Sequence, residues 1–227
     1  MPRSRIDHIV VTAPSLEAGA DYVRRTLGVD SEPGGEHARM GTHNRLLRLG
    51  ERVYLEVIAV NPSAPSPGRP RWFGMDDAEA MRAPRLATWV ARSDDIRAAV
   101  AAASLPLGTV EPMSRGTVEW LISVRQDGSL LLGGVAPAVI QWPEGVHPAD
   151  GLKDSGCSLV ALEAFHPQPE ELRDVLRSID FHDDLLKISP APAAGAPCLA
   201  ASIATPSGPR RIGGSALFIP ASPPPRR

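Results

Sequence analysis

Two cysteines in 227 residues, Cys157 and Cys198, are too few for a disulfide framework and are not spaced as a metal cluster. Both read as reduced, apolar thiols of a cytosolic protein. No run approaches the ~20 apolar residues of a membrane span, and the opening "MPRSRIDHIVV" has no apolar core followed by a cleavage site. A cytoplasmic location without a membrane partner is the expectation. A surplus of either charge is also missing: 24 basic residues, nearly all arginine, are interspersed with 26 acidic ones, for a net charge of −2 and a pI near 6.3. No basic stripe marks a nucleic-acid surface, so the expected partners are a small-molecule ligand or a second copy, the chain being a monomer or a homodimer. The phosphate-cradling patterns GxGxxG and GxxxxGKS/T are absent. So is a serine in a strand-turn-helix nucleophile setting, and neither cysteine has a histidine near it in sequence. Nucleotide-loop and hydrolase readings have no starting point.

What is present is a core and a repeat. Hydrophobic residues make up 43% of the chain, enough for a sizeable interior. "IDHIVVT" at 6–12 is β-branched and apolar. The next segment, "APSLEAGADYVRRTLG", offers Ser15 as an N-cap, Leu16, Ala20, Val23 and Leu27 at helical spacing, and Gly28 as the stop. "GGEHARMGTHN" reads as a loop or short strand, and "RLLRLG" and "RVYLEVIAV" as two strands around a Gly50-Glu51 turn. After a Pro, Ser and Gly-rich stretch at 63–84, with Trp72 and Phe73 tucked against the body, "RLATWVARSDDIRAAVAAASLPLG" repeats the opening strand and helix. "GTVEP", "TVEWLISVRQ" and "PAVIQWPEG" complete a second strand, helix and three-strand set. A weaker third echo starts at Ser158, and "PASPPPRR" reads as a frayed polyproline tail. The expected division is 1–62 and 85–150 as two βαβββ modules, 63–84 as a linker, 151–220 as a partial third unit and 221–227 as a tail. The fold class is α+β, with a curled mixed sheet around a cavity.

The paired units, with a histidine on the first strand and a glutamate on the last, resemble the vicinal oxygen chelate superfamily of glyoxalase I, extradiol dioxygenases and bleomycin-resistance proteins. "IDHIVV", "GGEHARMGTHN" and "YLEVIAV" look like its glyoxalase-like domain branch. The resemblance implies four inward positions, which map to His8, Glu56, Thr88 and Gln141. An imidazole and a carboxylate are good ligands for zinc, manganese, nickel or iron, and a Gln carbonyl oxygen is acceptable. The expected divalent-metal set is therefore His8, Glu56 and Gln141, with Glu56 as the catalytic group. Thr88 is no ligand, so the two-histidine, one-carboxylate set of a ring-cleaving dioxygenase is disfavoured. Gln141 cannot take a proton, which weakens glyoxalase-type isomerisation.

Other residues complete the expected ligand site. His43 and Asn44, beside Thr42, supply donors and acceptors for a small polar ligand or serve a structural hairpin. Tyr54 shares the two-residue period of Glu56 and faces the same cavity. Trp120 and Trp142, like Trp89, form either an apolar ligand wall or plain core. His43 and His147 are the candidates to repair the metal set, whereas His37, His166 and His182 read as ordinary loop or surface histidines. Two functions stand side by side: a metal-dependent lyase or isomerase acting on a small oxygenated or carbonyl compound, and a metal-free protein that sequesters a ligand.

Overall fold

The computed structural model describes residues 3–191 and 195–214; the expected tail at 221–227, and residues 215–220 of the third unit, lie outside the described residues. The first module runs β1 (Ser4–Thr12), α1 (Leu16–Leu27), β2 (Glu32–His37), β3 (Thr42–Arg48) and β4 (Tyr54–Val60). The second repeats it as β5 (Arg85–Ser93), α2 (Ile96–Ala102), β6 (Thr109–Arg115), β7 (Val118–Val124) and β8 (Ala138–Gln141). α1 starts where the Ser15 hydroxyl accepts the Ala18 N–H and stops at Gly28, whose φ of 75° suits a residue without Cβ. Asp95 caps α2 in the same way through the Ala98 N–H.

All eight strands form one sheet in the order β2-β3-β4-β1-β5-β8-β7-β6. In each module the last strand returns parallel to the first, and the modules join along the antiparallel β1–β5 seam. The sheet curls until its edges β2 and β6 pack side by side, where Glu111 takes both Arg39 and Arg69. Its convex face carries the helices and a large apolar core, including Ile9, Val11, Leu55 and Trp89. The concave face carries a second cluster with Val10, Ile58, Val90 and Ile140. The linker crosses this concave side. Its Trp72 and Phe73 are buried in a single 3-10 turn, Phe73 at a φ of 59°, and the Gly74 N–H donates to the Gly128 carbonyl at 2.8 Å.

The third unit follows a different order. β9 (Ser158–His166), α3 (Pro169–Ser178) and β10 (Leu186–Pro190) make a parallel crossover, and β11 (Cys198–Thr205) and β12 (Gly208–Gly213) a hairpin on the other side of β9. The resulting sheet, β10-β9-β11-β12, covers the convex side and shares its core through Leu162, Leu199, Ile203 and Ile212.

One irregularity in β1 positions the site. Ile6 pairs with Ala91 and His8 with Val90, so Asp7 is an extra residue without a partner on β5. Such a bulge breaks the inward-outward alternation and re-aims side chains. Ile6 stays in the convex core, while His8 and the fully buried Asp7 are freed to meet side by side.

Candidate functional site

His8 comes from β1, Tyr54 and Glu56 from β4, and the register His8↔Tyr54, Val10↔Glu56 sets them on the concave face. The His8 ring stacks on Tyr54 with centroids 4.5 Å apart. His8 Nδ1 lies 2.6 Å from Asp7 Oδ1, leaving Nε2 to face Glu56 Oε2 at 3.6 Å. The other Asp7 oxygen accepts the Trp142 indole N–H at 3.0 Å and lies 3.1 Å from His147 Nε2. Because His147 Nδ1 accepts the Ala149 N–H, its Nε2 carries the proton donated to Asp7.

A second layer comes from β2 and β3. Asn44 donates its amide to Glu56 Oε1 at 2.5 Å and stands 3.4 Å from His37 Nε2, while its oxygen accepts the Gly35 N–H. That last bond fixes which way the amide points. The two glycines of "EPGGEH" serve close approach here and not a turn: a Cβ on Gly34 would lie 2.0 Å from Asn44 Oδ1, and one on Gly35 2.7 Å from Arg115 Cγ. His37 is buried, with Nδ1 3.1 Å from the Thr42 hydroxyl and Nε2 4.0 Å from Glu56 Oε1.

Electrostatics separates the two histidines. Burial disfavours a charge on His8, but the hydrogen bond to Asp7 and the pull of both carboxylates outweigh it and raise its pKa to about 9. Burial would likewise raise Glu56, yet His8, His37 and Asn44 bring it down to about 2. Asp7, fully buried, is held well below the usual carboxylate range by His147 and His8. For His37 burial wins over the attraction of Glu56 and lowers it to about 4. At neutral pH the centre is therefore carboxylate, imidazolium, carboxylate, with a neutral imidazole alongside.

His8, His37, Tyr54 and Glu56 floor a cavity walled by Trp72, Trp120 and Trp142 and by Arg115 of β6. It has a volume of about 20 Å3, room for a water or one polar group of a ligand. The indole N–H groups of Trp72 and Trp120 are buried without a hydrogen-bond partner among the described residues.

The expected site is thus only partly assembled. His8, Glu56, Tyr54, Asn44, Trp120 and Trp142 converge, and His147 reaches the group through Asp7. Gln141 does not: its side chain points to the convex side, where its amide oxygen accepts the Ile96 N–H at the start of α2. By strand register the partner of Glu56 in the second module is Ala138, since Val90 pairs with Ala138 as Val10 pairs with Glu56. Thr88 is buried but lines a neighbouring cavity, beyond Trp72 and Phe73. His43 alternates with Asn44 onto the other face, within electrostatic reach of Glu17 on α1. Trp89 is core, its indole bonded to the Val135 carbonyl. Asp7 and His37 are the residues that sequence reasoning missed. The signal for Asp7 was its place beside His8; for His37 it was the GG pair that brings Asn44 to it.

A resident metal does not fit these donors as they stand. The histidine nitrogens stand 3.6 and 4.0 Å from the Glu56 oxygens, and Gln141, the expected third donor, is turned away. The Asn44 amide, a donor, already bridges Glu56 Oε1 and His37 Nε2. Among the described residues no group of three or more His, Cys, Asp and Glu side chains is arranged to hold a metal ion.

A family model described as a glyoxalase-like domain matches residues 6–179. Among solved structures, a hypothetical protein from Staphylococcus aureus is similar at a TM-score of 0.55 and 15% identity, over 84% of this chain and 87% of that one. A methylmalonyl-CoA epimerase in complex with methylmalonyl-CoA and NH4+ aligns at 0.44 and 17% identity, over 64% of this chain and 99% of its own. The methylmalonyl-CoA epimerase from Mycobacterium tuberculosis aligns at 0.40 and 18%, over 61% and 87%. A search of curated proteins finds no match. With duplicated modules joined along one seam, and a family model spanning most of both modules and the third unit's helix, the chain belongs to the glyoxalase-like domain family of the vicinal oxygen chelate superfamily.

Proposed function

We propose that the cavity binds the polar end of a small oxygenated or carbonyl compound without a resident metal. One observation carries this reading: His8 Nε2 and Glu56 Oε2, opposite charges both lining the cavity, face each other across 3.6 Å. That separation is too long for a direct hydrogen bond, so both groups retain capacity for a ligand. A ligand carbonyl accepts from the imidazolium and a neighbouring hydroxyl donates to the carboxylate, each bond to an ionised partner contributing about 1.5–3 kcal/mol. The unpartnered indoles of Trp72 and Trp120 supply further donors, and leaving them buried and unpaired is costly. Glu56, with a pKa of about 2, is a poor base, since each unit below the acid it must deprotonate costs about 1.36 kcal/mol. Sequestration therefore fits better than proton abstraction, and Glu56 is an anchor.

A thermal-shift panel tests this. Small hydroxycarbonyl compounds should raise the melting temperature in proportion to affinity and concentration, His8→Gln and Glu56→Gln should lose the effect, and zinc, manganese, nickel and iron should give none. Stoichiometric metal in protein purified without chelators, lost in His8→Ala and Glu56→Ala, would overturn the reading.

A further inference from the structure

Beyond the Asp7, Trp142 and His147 layer, at the same end of the concave side, lies a second and larger hollow of about 400 Å3. Four arginines line it: Arg3 just before β1, Arg5 near its start, Arg52 from the β3–β4 turn and Arg92 from β5. The register Arg5↔Arg92 places two of them directly opposite one another across the seam. Like charges in that position repel. None of the four has an ion-pair partner among the described residues, although nine other arginines do. Arg92 is held in place by one nitrogen, which donates to the Ile6 and Arg52 carbonyls, and its remaining N–H groups stay available. Two carboxylates, Asp94 and Glu144, also line the hollow, and among the described residues neither is within ion-pair distance of a guanidinium. Among the lining side chains, four cations against two carboxylates leave two positive charges in excess.

We infer that this arginine hollow is a binding site for a phosphate-bearing small molecule. A phosphate monoester dianion matches the excess charge, and its three oxygens offer acceptors to several guanidinium forks at once. The volume admits the phosphate with a modest organic group, which Trp142 and Pro143 meet as an apolar wall. Burial lowers the pKa of the half-buried Arg92; Asp7 and Asp183 oppose this from behind the wall, and Arg5 and Arg52 add to it from the hollow, where an anion would sit between them. The hollow shares the Trp142 wall with the His8 cavity, but its arginines line the hollow alone, so variants at Arg5 and Arg52 test it independently of what that cavity binds.

Isothermal titration with inorganic phosphate is the experiment, run at constant ionic strength against chloride. The wild type should show saturable one-site binding at millimolar phosphate or below. An Arg5→Gln/Arg52→Gln double variant should bind about tenfold more weakly or worse, as expected when one or two charge-assisted bonds are lost. An Arg82→Gln/Arg210→Gln variant, with the same change in net charge at distant exposed positions, should bind as the wild type. In the unaltered protein, phosphate should shift the amide resonances of residues 142–147 and the Trp142 indole N–H, and leave the 115–118 hairpin unmoved. Equal weakening in both double variants, or heats that chloride reproduces, would overturn the proposal. Phosphate shifts spread evenly over the surface would do the same.

Discussion

The Glu56 carboxylate is buried on an interior strand, and every residue that makes this tolerable can be named: His8 faces one oxygen, Asn44 donates to the other, and His37 stands behind. Removing Asn44 as Asn44→Ala strands both Glu56 Oε1 and the Gly35 N–H, a loss of about 1–3 kcal/mol measurable by urea unfolding. The two histidines also shape the pH dependence of stability. His8 is held protonated, from 6.5 up to about 9, so its contribution is complete below pH 6.5 and vanishes as pH rises through 9. His37 is held neutral, from 6.5 down to about 4, so its contribution is complete above pH 6.5 and is lost as pH falls through 4. Glu56, moved from 4.5 to about 2, adds a further acid loss below 4.5. Stability should peak near pH 6.5, with His8→Gln flattening the alkaline limb and His37→Gln the limb between 6.5 and 4, as read by unfolding free energy against pH. His8 and Glu56 were legible in the sequence because a polar residue inside an apolar strand stands out. Asp7 was not, because a bulge has no pattern of its own, and Gln141 was misplaced because mapping a resemblance onto the last strand does not fix that strand's register.

Elements were easier to read than contacts. The cap, spacing and stop of α1 lie within sixteen residues and act locally, so Ser15 and Gly28 fall where expected. β2 was harder, since glycine and proline disfavour a strand; it forms at a sheet edge, where its glycines let Asn44 and Arg115 come close. The linker was read as a loop tucked by Trp72 and Phe73, and the structure gives that tuck a partner. Gly128 lies so near the linker that a Cβ there would sit 2.1 Å from the Arg71 carbonyl, and its own φ is 67°. Gly128→Ala should therefore lift the linker from the concave face. Hydrogen exchange should show faster amides at 72–75 with little change in α1, and equal protection in both proteins would argue that the linker is held elsewhere.

At the scale of the whole chain, the third unit shares its apolar core with the duplicated modules: Leu162, Leu199 and Ile203 belong to the same cluster as Ile9, Val11 and Trp89. Units that share a core in this way are expected to unfold together. Calorimetry should give a single transition with matching calorimetric and van't Hoff enthalpies, and two resolved transitions would mean that the third unit is independent. Its topology was the least legible feature, because strand and helix order does not say on which side of β9 the next strand lies.

The additional residue in β1 has an effect at both ends of the strand. Inserting one position inverts parity for everything upstream, so Ser4 and Ile6 turn to the helices while Arg5 turns the opposite way, toward Arg92. A single-codon deletion of Asp7 would take the buried acid out of the interior yet leave the upstream phase as it is, because Ile6 and His8 already pair with the adjacent Ala91 and Val90, and Arg5 would still face Arg92. The bulge thus seats an acid in the interior while the arginines at the strand's beginning keep their places.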